Sequence, residues 1–366
     1  MNPHPIPVLL LIRELGIGGT ERQLTETARY LPRDRFRPYV GCLRPEGARR
    51  VDLENAGVPI LHLPMRSFLS PALISASSLL VRFIREHKIR VVHAFDAPLN
   101  IFGVPVAKFA GVPAVLSSQR GERELTGRLT HKCLRVTDRL CDAVVVNCDA
   151  MRRYLEDHER VPPGKIRICH NAVDIEQYSR REIESRWPDK TVIGVVCALR
   201  PEKGLETLLQ AFARLERPDT VLVIVGSGPE EGRLKAVSAE LSLGDACHFE
   251  PATGDVVPWL SMIDVFVLPS RTEALSNSLM EAMACRCCVV ATRVGGNPEL
   301  VDDGENGLLF EAGRVDQLTG KLAAVLEDPI RRRAMAEKAA AKMAANFTYS
   351  RAARTMGEIY ESILQR

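Results

Sequence analysis

Short apolar runs alternate with amphipathic stretches along almost the whole chain. Val8–Ile12, Pro38–Cys42, Val58–Leu63, Val91–Ala94, Ala114–Ser117, Ala143–Asn147 and Ile166–His170 are each too short to be an amphipathic helix, and each predicts a buried strand. Between them, Thr20–Tyr30, Ser75–His87 and Met151–Glu159 carry helical spacing. A second series follows: strands at Thr191–Ala198, Val221–Val225, Val265–Leu268 and Val289–Thr292, and helices at Gly204–Leu215, Glu230–Leu241 and Asn277–Ala284. Strand and helix in strict alternation predict parallel sheets, hence an α/β fold built twice. The pattern then changes. Ile330–Ala345 predicts a charged, alanine-rich helix, and Phe347-Thr348-Tyr349-Ser350 interrupts it. Ser350 is placed to cap a last helix with Ala353, Met356, Ile359, Tyr360 and Ile363 on one face.

The 366 residues leave room for two cores. The stretch Asp174–Lys190 is charged, weakly periodic and closed by Trp187-Pro188, and it reads as a linker. A hydrophobic content of 46% with 26% charged residues is that of an ordinary globular protein. The net charge of +3, without a Lys/Arg run, argues against a nucleic-acid binder but permits weak attraction to an anionic membrane surface. No apolar run approaches the roughly 20 residues of a spanning helix, and the first residues show neither part of a signal peptide. Ten cysteines scattered in apolar stretches fit reduced thiols and a cytoplasmic setting. Cys285, Cys287 and Cys288 contain one C-x-x-C spacing, but the second pair of a closed zinc site is missing.

Candidate chemistry gathers at the ends of expected strands. Glu273 lies in the loop after Val265–Leu268, beyond the carboxyl end of a parallel strand, where open α/β sheets bind ligands. Leu275, Ser276 and Asn277 open the next helix, where backbone amides and the helix dipole suit a diphosphate. Glu281, further along that helix, is placed to accept two hydroxyl hydrogen bonds such as a ribose offers. The spacing alone fits a capped helix with solvated acids equally well. Arg200 and Lys203 sit at another strand–helix turn, where fixed cations would stabilise a leaving diphosphate. Read alone, that turn is also an ordinary solvated basic turn. Gly226 and Gly228 form a third strand-end loop, by itself only a turn. Gly16-Ile17-Gly18-Gly19-Thr20-Glu21 fails the dinucleotide fingerprint, because Glu21 holds the last glycine position. The following strand also lacks a ribose-binding acid, so a dehydrogenase is excluded twice. His93, Arg120 and Glu122 close two strands of the first series; a lone histidine in an apolar run is more often a hydrogen-bonded core residue. Arg128–Leu140 interleaves basic and apolar residues, as a solvated helix face or as one that meets a membrane.

The run from Pro269 through Phe310 resembles the donor-binding signature of family 4 retaining glycosyltransferases. The matching residues are Pro269-Ser270, Glu273, Glu281-Ala-Met-Ala, Val289-Val-Ala-Thr, Gly295-Gly296-Asn297-Pro298-Glu299 and Asp303-Gly304-Glu-Asn-Gly307. The resemblance implies the GT-B architecture: two Rossmann-like domains facing across a cleft, residues 1–178 on the acceptor side and 190–345 holding a nucleotide-sugar, with 346–366 returning to the first domain. It implies that Glu273 contacts the transferred sugar, that Glu281 holds the ribose, and that amides near Leu275, Ser276 and Asn277 hold the phosphates. Lys203 and Arg200 would stabilise the diphosphate, Gly226 and Gly228 would approach the nucleotide, as would Phe249-Glu250-Pro251-Ala252, and Gly18 and Gly19 would close over the donor. His93, Arg120 and Glu122 are the acceptor-side candidates. Three departures stand out: Ala198 where relatives place an arginine, Arg286-Cys287-Cys288 in place of Gly-Leu-Pro, and no histidine near Ser118.

The implied reaction is retaining transfer of a hexosyl group from a UDP- or GDP-sugar to a hydroxyl acceptor, in cell-surface polysaccharide or glycolipid synthesis. The chain has no Asp-x-Asp to hold a divalent ion, so the expectation is a metal-independent enzyme without a cofactor. Its expected partners are the nucleotide-sugar and a glycan or lipid-linked acceptor, with peripheral contact at the inner membrane face. The alternatives are a nucleotide-sugar 2-epimerase and an inactive binding protein of the same fold.

Overall fold

In the computed structural model, which describes residues 4–65, 67, 71–121, 123 and 127–365, the two series become two parallel sheets. The chain divides into two compact units, Met1–Asn171 with Tyr349–Arg366, and Ala172–Thr348.

The first sheet contains β1 (Ile6–Glu14), β2 (Phe36–Arg44), β3 (Ile60–His62), β4 (Val91–Ala94), β5 (Ala114–Gln119), β6 (Ala143–Val146) and β7 (Ile166–Ile168). Their order is β3-β2-β1-β4-β5-β6-β7, every pair parallel. Strand order reverses between β1 and β4, the switch point at which such sheets bind ligands. The helices of this unit include α1 (Gly19–Tyr30), α2 (Ala48–Asn55), α3 (Ala72–Glu86), α4 (Ala97–Phe109), α5 (Arg128–Leu140) and α6 (Asp149–Asp157). Pro98, Gly103 and Pro105 hide α4 from a propensity reading. It forms because Asp96 caps it, accepting a bond from the Leu99 amide at 3.0 Å, and because its buried face is apolar.

The second sheet runs β10-β9-β8-β11-β12-β13, again all parallel. Its strands are β8 (Thr191–Val196), β9 (Thr220–Val225), β10 (Cys247–Glu250), β11 (Val265–Leu268), β12 (Cys288–Thr292) and β13 (Leu308–Phe310). Here the order reverses between β8 and β11. The helices are α7 (Leu205–Ala213), α8 (Glu231–Glu240), α9 (Val257–Met262), α10 (Asn277–Ala284), α11 (Asn297–Leu300), α12 (Val315–Glu327) and α13 (Pro329–Asn346). Phe249 and Glu250, expected in a loop beside the base, close β10 instead; only Pro251 and Ala252 follow it as loop. The stretch Asp174–Lys190 carries no helix or strand. It is nonetheless fastened within the second unit: the Arg181 amide donates to Ser261 Oγ at 3.0 Å and the Arg186 guanidinium to Glu250 at 2.7 Å.

The last helix, α14 (Tyr349–Leu364), belongs to the first unit. Met356, Ile359, Tyr360 and Ile363 join β1, β2, β4, β5 and β6 in one apolar core. The Tyr360 ring meets Phe36 edge-on, centroids 6.1 Å apart.

Candidate active site

In the second unit, two charged side chains meet at the switch point. β8 ends in a loop that tightens into a single turn at Pro201–Lys203. β11, its neighbour in the sheet, leads into the loop carrying Glu273. The Arg271 amide donates to the Glu202 carbonyl at 2.8 Å and ties the two loops together. Across this tie, Lys203 Nζ donates to Glu273 Oε1 at 2.6 Å. The Ser270 hydroxyl donates to the same oxygen at 2.8 Å. Lys203 and Glu273 are only 21% and 10% exposed, so little water competes for the pair. Glu273 Oε2 makes no hydrogen bond among the described residues, nor do the remaining ammonium protons of Lys203. An open acceptor and open donors thus sit side by side, as a group with hydroxyls next to a phosphate requires.

Backbone contacts hold this arrangement. Thr292 Oγ1, at the end of β12, donates to the Ser270 carbonyl at 2.8 Å. Gly295 has φ +52°, and a Cβ there would lie 1.8 Å from the Glu273 carbonyl. The Gly296 amide donates to the Ala274 carbonyl at 2.5 Å. Gly204, at φ +62°, lies so close to Pro269 that a Cβ would meet its carbonyl at 2.3 Å. The β9 loop braces the turn from the other side. Cβ atoms at Gly226 and Gly228 would strike the carbonyls of Cys197 and Leu199, and the Leu199 amide donates to the Ser227 carbonyl at 3.1 Å. Close packing therefore accounts for both glycines without a ligand.

α10 starts beside Glu273. Ser276 is its N-cap, its Oγ accepting from the Leu279 amide at 3.3 Å. Leu275 and Ser276 are buried and Asn277 is half-buried. Glu281 is buried in the second turn. Much of the remaining signature is scaffolding. Asn297 Nδ2 donates to the Thr292 carbonyl at 3.0 Å, Asn306 closes the turn before β13 through Asp302 and Leu300, and Asp303 accepts from the Leu309 amide.

Arg200 behaves differently from Lys203. Its side chain is 63% exposed, with Glu202 at 4.0 Å as its ion-pair neighbour, and it is not drawn to Glu273. Arg286 takes a left-handed conformation, φ +57°, just past the end of α10, where glycine is favoured. This costs about 1 kcal/mol. An ion pair with Glu337 at 3.0 Å and a carbonyl bond from Arg180 hold it there, while Cys287 and Cys288 fill the core. No group of three or more His, Cys, Asp or Glu side chains suited to a metal ion occurs among the described residues.

The first unit corrects one acceptor-side expectation. His93 is fully buried, its Nδ1 2.9 Å from the Tyr360 hydroxyl and its Nε2 2.8 Å from the Ser118 hydroxyl. Burial holds its pKa well below the ordinary 6.5, so the ring is neutral. It is a core residue and presents nothing to an acceptor. Arg120 is half-buried; its Nη1 donates to Asn171 Oδ1 at 2.8 Å, and its guanidinium lies over the Phe95 ring at 4.9 Å. Glu122 lies outside the described residues. Gly18 caps α1 and Gly19 begins it, with the Glu21 carboxylate folded back over Gly18.

Some partners were not read from the sequence. Ser270 and Thr292 lie inside the signature, and their hydroxyls at strand ends were the available signal. A buried charge cluster was invisible: Arg123 forks onto Asp138 at 2.6 and 2.9 Å, and Glu159 accepts from Arg135 at 2.7 Å and pairs with His131 at 2.5 Å.

Comparison with known proteins covers both units. Residues 17–177 match the family described as Glycosyltransferase Family 4, and residues 179–342 match Glycosyl transferases group 1. A GDP-mannose-dependent alpha-(1-6)-phosphatidylinositol monomannoside mannosyltransferase of Mycolicibacterium smegmatis is 31% identical over 79% of this chain and 81% of its own length. Its monoacylated-substrate counterpart from Corynebacterium glutamicum is 29% identical over 82% of both chains. The crystal structure of Anabaena HepE in complex with UDP superposes with a TM-score of 0.84 at 21% identity, covering 98% of this chain and 100% of that one. With both halves matched and the GT-B fold in place, the chain belongs to glycosyltransferase family 4 and is a glycosyltransferase.

Proposed function

We propose that the chain transfers a hexosyl group from a UDP- or GDP-sugar to a hydroxyl acceptor with retention of configuration and without a metal ion. The observation that carries this reading is the Lys203–Glu273 pair, with Glu273 Oε2 and two ammonium protons open beside the start of α10. In this reading the donor diphosphate lies against the first turn of α10 and Lys203. Glu273 Oε2 accepts hydroxyls of the sugar, and Glu281 accepts those of the ribose. As the bond to the sugar breaks, charge grows on the leaving phosphate, where the fixed ammonium and helix dipole stabilise it. The departing phosphate oxygen takes the acceptor proton on the same face, so no protein base is required. Arg200, exposed at the rim of the turn, adds charge only by swinging inward.

The relatives support the donor class: two are named GDP-mannose-dependent, and the Anabaena neighbour was crystallised with UDP and with UDP-glucose. The relatives named for phosphatidylinositol mannosides also favour a lipid-borne acceptor in glycolipid or polysaccharide synthesis. α5 fits such an acceptor. Leu129, at 76% exposure, stands with Val136 and Leu140 on a solvent face shared by Arg128, Lys132, Arg135 and Arg139. Apolar residues among cations suit the interface of an anionic bilayer. No helix among the described residues is long and apolar enough to cross a membrane.

A panel of UDP- and GDP-sugars tests the donor assignment by thermal shift, since a ligand of the native state raises the melting temperature. One sugar nucleotide is expected to shift it and, with an acceptor, to be consumed with retention. Hydrolysis or epimerisation of the donor without acceptor would replace this reading with the epimerase, and absence of any shift would remove it.

A further inference from the structure

Arg120 is a cation without a counterion among the described residues. It follows β5 directly, Phe95 follows β4, and Asn171 lies three residues beyond β7, so all three stand at the carboxyl edge of the first sheet. One Nη1 proton goes to Asn171 Oδ1 at 2.8 Å. Nε is fully buried and has no acceptor. The Phe95 ring, 4.9 Å away, fixes the plane of the guanidinium. The titratable groups that interact with Arg120 are Cys169, Tyr360 and His93, and all three are neutral at physiological pH. Burial pushes the thiol up to about 11 and the phenol well above its ordinary value. The acid following Phe95 is Asp96, which is turned to the amides of Arg13 and Leu99. Burial without a compensating anion brings the guanidinium down to about 10.

The fold elsewhere pairs its buried arginine. Arg123, three residues on, has Asp138 across both Nη atoms. Arg120 has an amide on Nη1, an aromatic face beneath, and no protein acceptor for Nη2 or the buried Nε among the described residues, so charged donors remain for a phosphate oxygen.

We infer that Arg120, held by Asn171 and Phe95, seats a phosphate group of a substrate and so determines which substrates are accepted. This rests on the transferase reading above. The phosphate belongs either to the acceptor or to the donor diphosphate, and the experiment separates the two.

Inorganic phosphate is the probe, titrated at constant ionic strength against chloride and read by melting temperature. The Lys203→Gln background removes the cation of the second unit from the response. In that background phosphate is expected to raise the melting temperature saturably. Adding Arg120→Gln should raise the half-saturating concentration at least tenfold, and adding Arg120→Lys, which keeps charge but loses the fork, at least threefold. A half-saturation unchanged by either substitution, or no response in the Lys203→Gln protein, overturns the inference. Arg120→Lys keeps the test available if Arg120→Gln does not fold. UDP and GDP affinities of the single Arg120→Gln variant then assign the source. Unchanged affinity places the phosphate on the acceptor, and a tenfold loss places it on the donor. Because inorganic phosphate binding needs no turnover, a protein that binds it through Arg120 but binds no UDP- or GDP-sugar would refute the proposed donor reading alone.

Discussion

The two sheets end in opposite electrostatic states. At the carboxyl edge of the second, Lys203 and Glu273 neutralise each other at 2.6 Å, each keeping hydrogen-bonding capacity in reserve. At the edge of the first, Arg120 has an amide and a ring but no acid among the described residues. A neutral pair keeps its geometry when empty and can still exchange partners when a charged ligand enters. An unpaired cation favours anions outright. One fold, built twice, thus ends in a neutralised pair at one sheet and an uncompensated cation at the other.

The largest expected effect comes from breaking the pair. Glu273→Ala should lower turnover more than 100-fold, about 2.7 kcal/mol or more of transition-state stabilisation. Nucleotide affinity should hold or improve, because Lys203 is freed for the diphosphate. Steady-state kinetics with a titration of UDP or GDP checks both, and near-normal turnover would remove the role of Glu273.

A smaller effect tests whether the first unit meets a bilayer. Leu129→Asp with Val136→Asp replaces two exposed apolar side chains of α5 by acids. Co-sedimentation with anionic vesicles should weaken at least tenfold, since each lost apolar insertion is worth on the order of 1.5 kcal/mol. Unchanged co-sedimentation would leave α5 as a solvated face.

The smallest effect concerns His93. Folded, the ring stays neutral far below 6.5; unfolded, it takes up a proton as pH falls through 6.5. The unfolded state then binds more protons, so stability is intact above 6.5 and declines below it. Denaturation of the wild type and of His93→Gln should diverge by about 1 kcal/mol for each pH unit below 6.5, with the wild type losing more. Asp96, pushed by burial up to about 6, acts in the opposite sense, gaining stability as pH falls from 6 towards 3.8, but it is common to both proteins and cancels. Parallel pH profiles would mean that His93 is reached by solvent.

Much of this was legible in the chain because it rests on local rules. Val265–Leu268 and Asn277–Ala284 have the bounds expected of them, since an apolar run and a capped helix need no distant information. What escaped the reading depends on long-range approach. α4 breaks the propensity rules with two prolines and is rescued by burial. The sequence offers His93 as a candidate for chemistry, but Tyr360, 267 positions along the chain, closes over it. Lys203 and Arg200 look alike in sequence, yet Lys203 Nζ reaches Glu273, 70 positions on, while Arg200 is left in water.

The position of α14 at the end of the chain orders how the molecule is made. Every residue of the second unit, through Thr348, is polymerised before the helix that supplies Tyr360 begins. Until then the first sheet has an uncovered apolar flank, and the His93 ring lacks one of its two partners. The half that is translated first is therefore the half that is finished last.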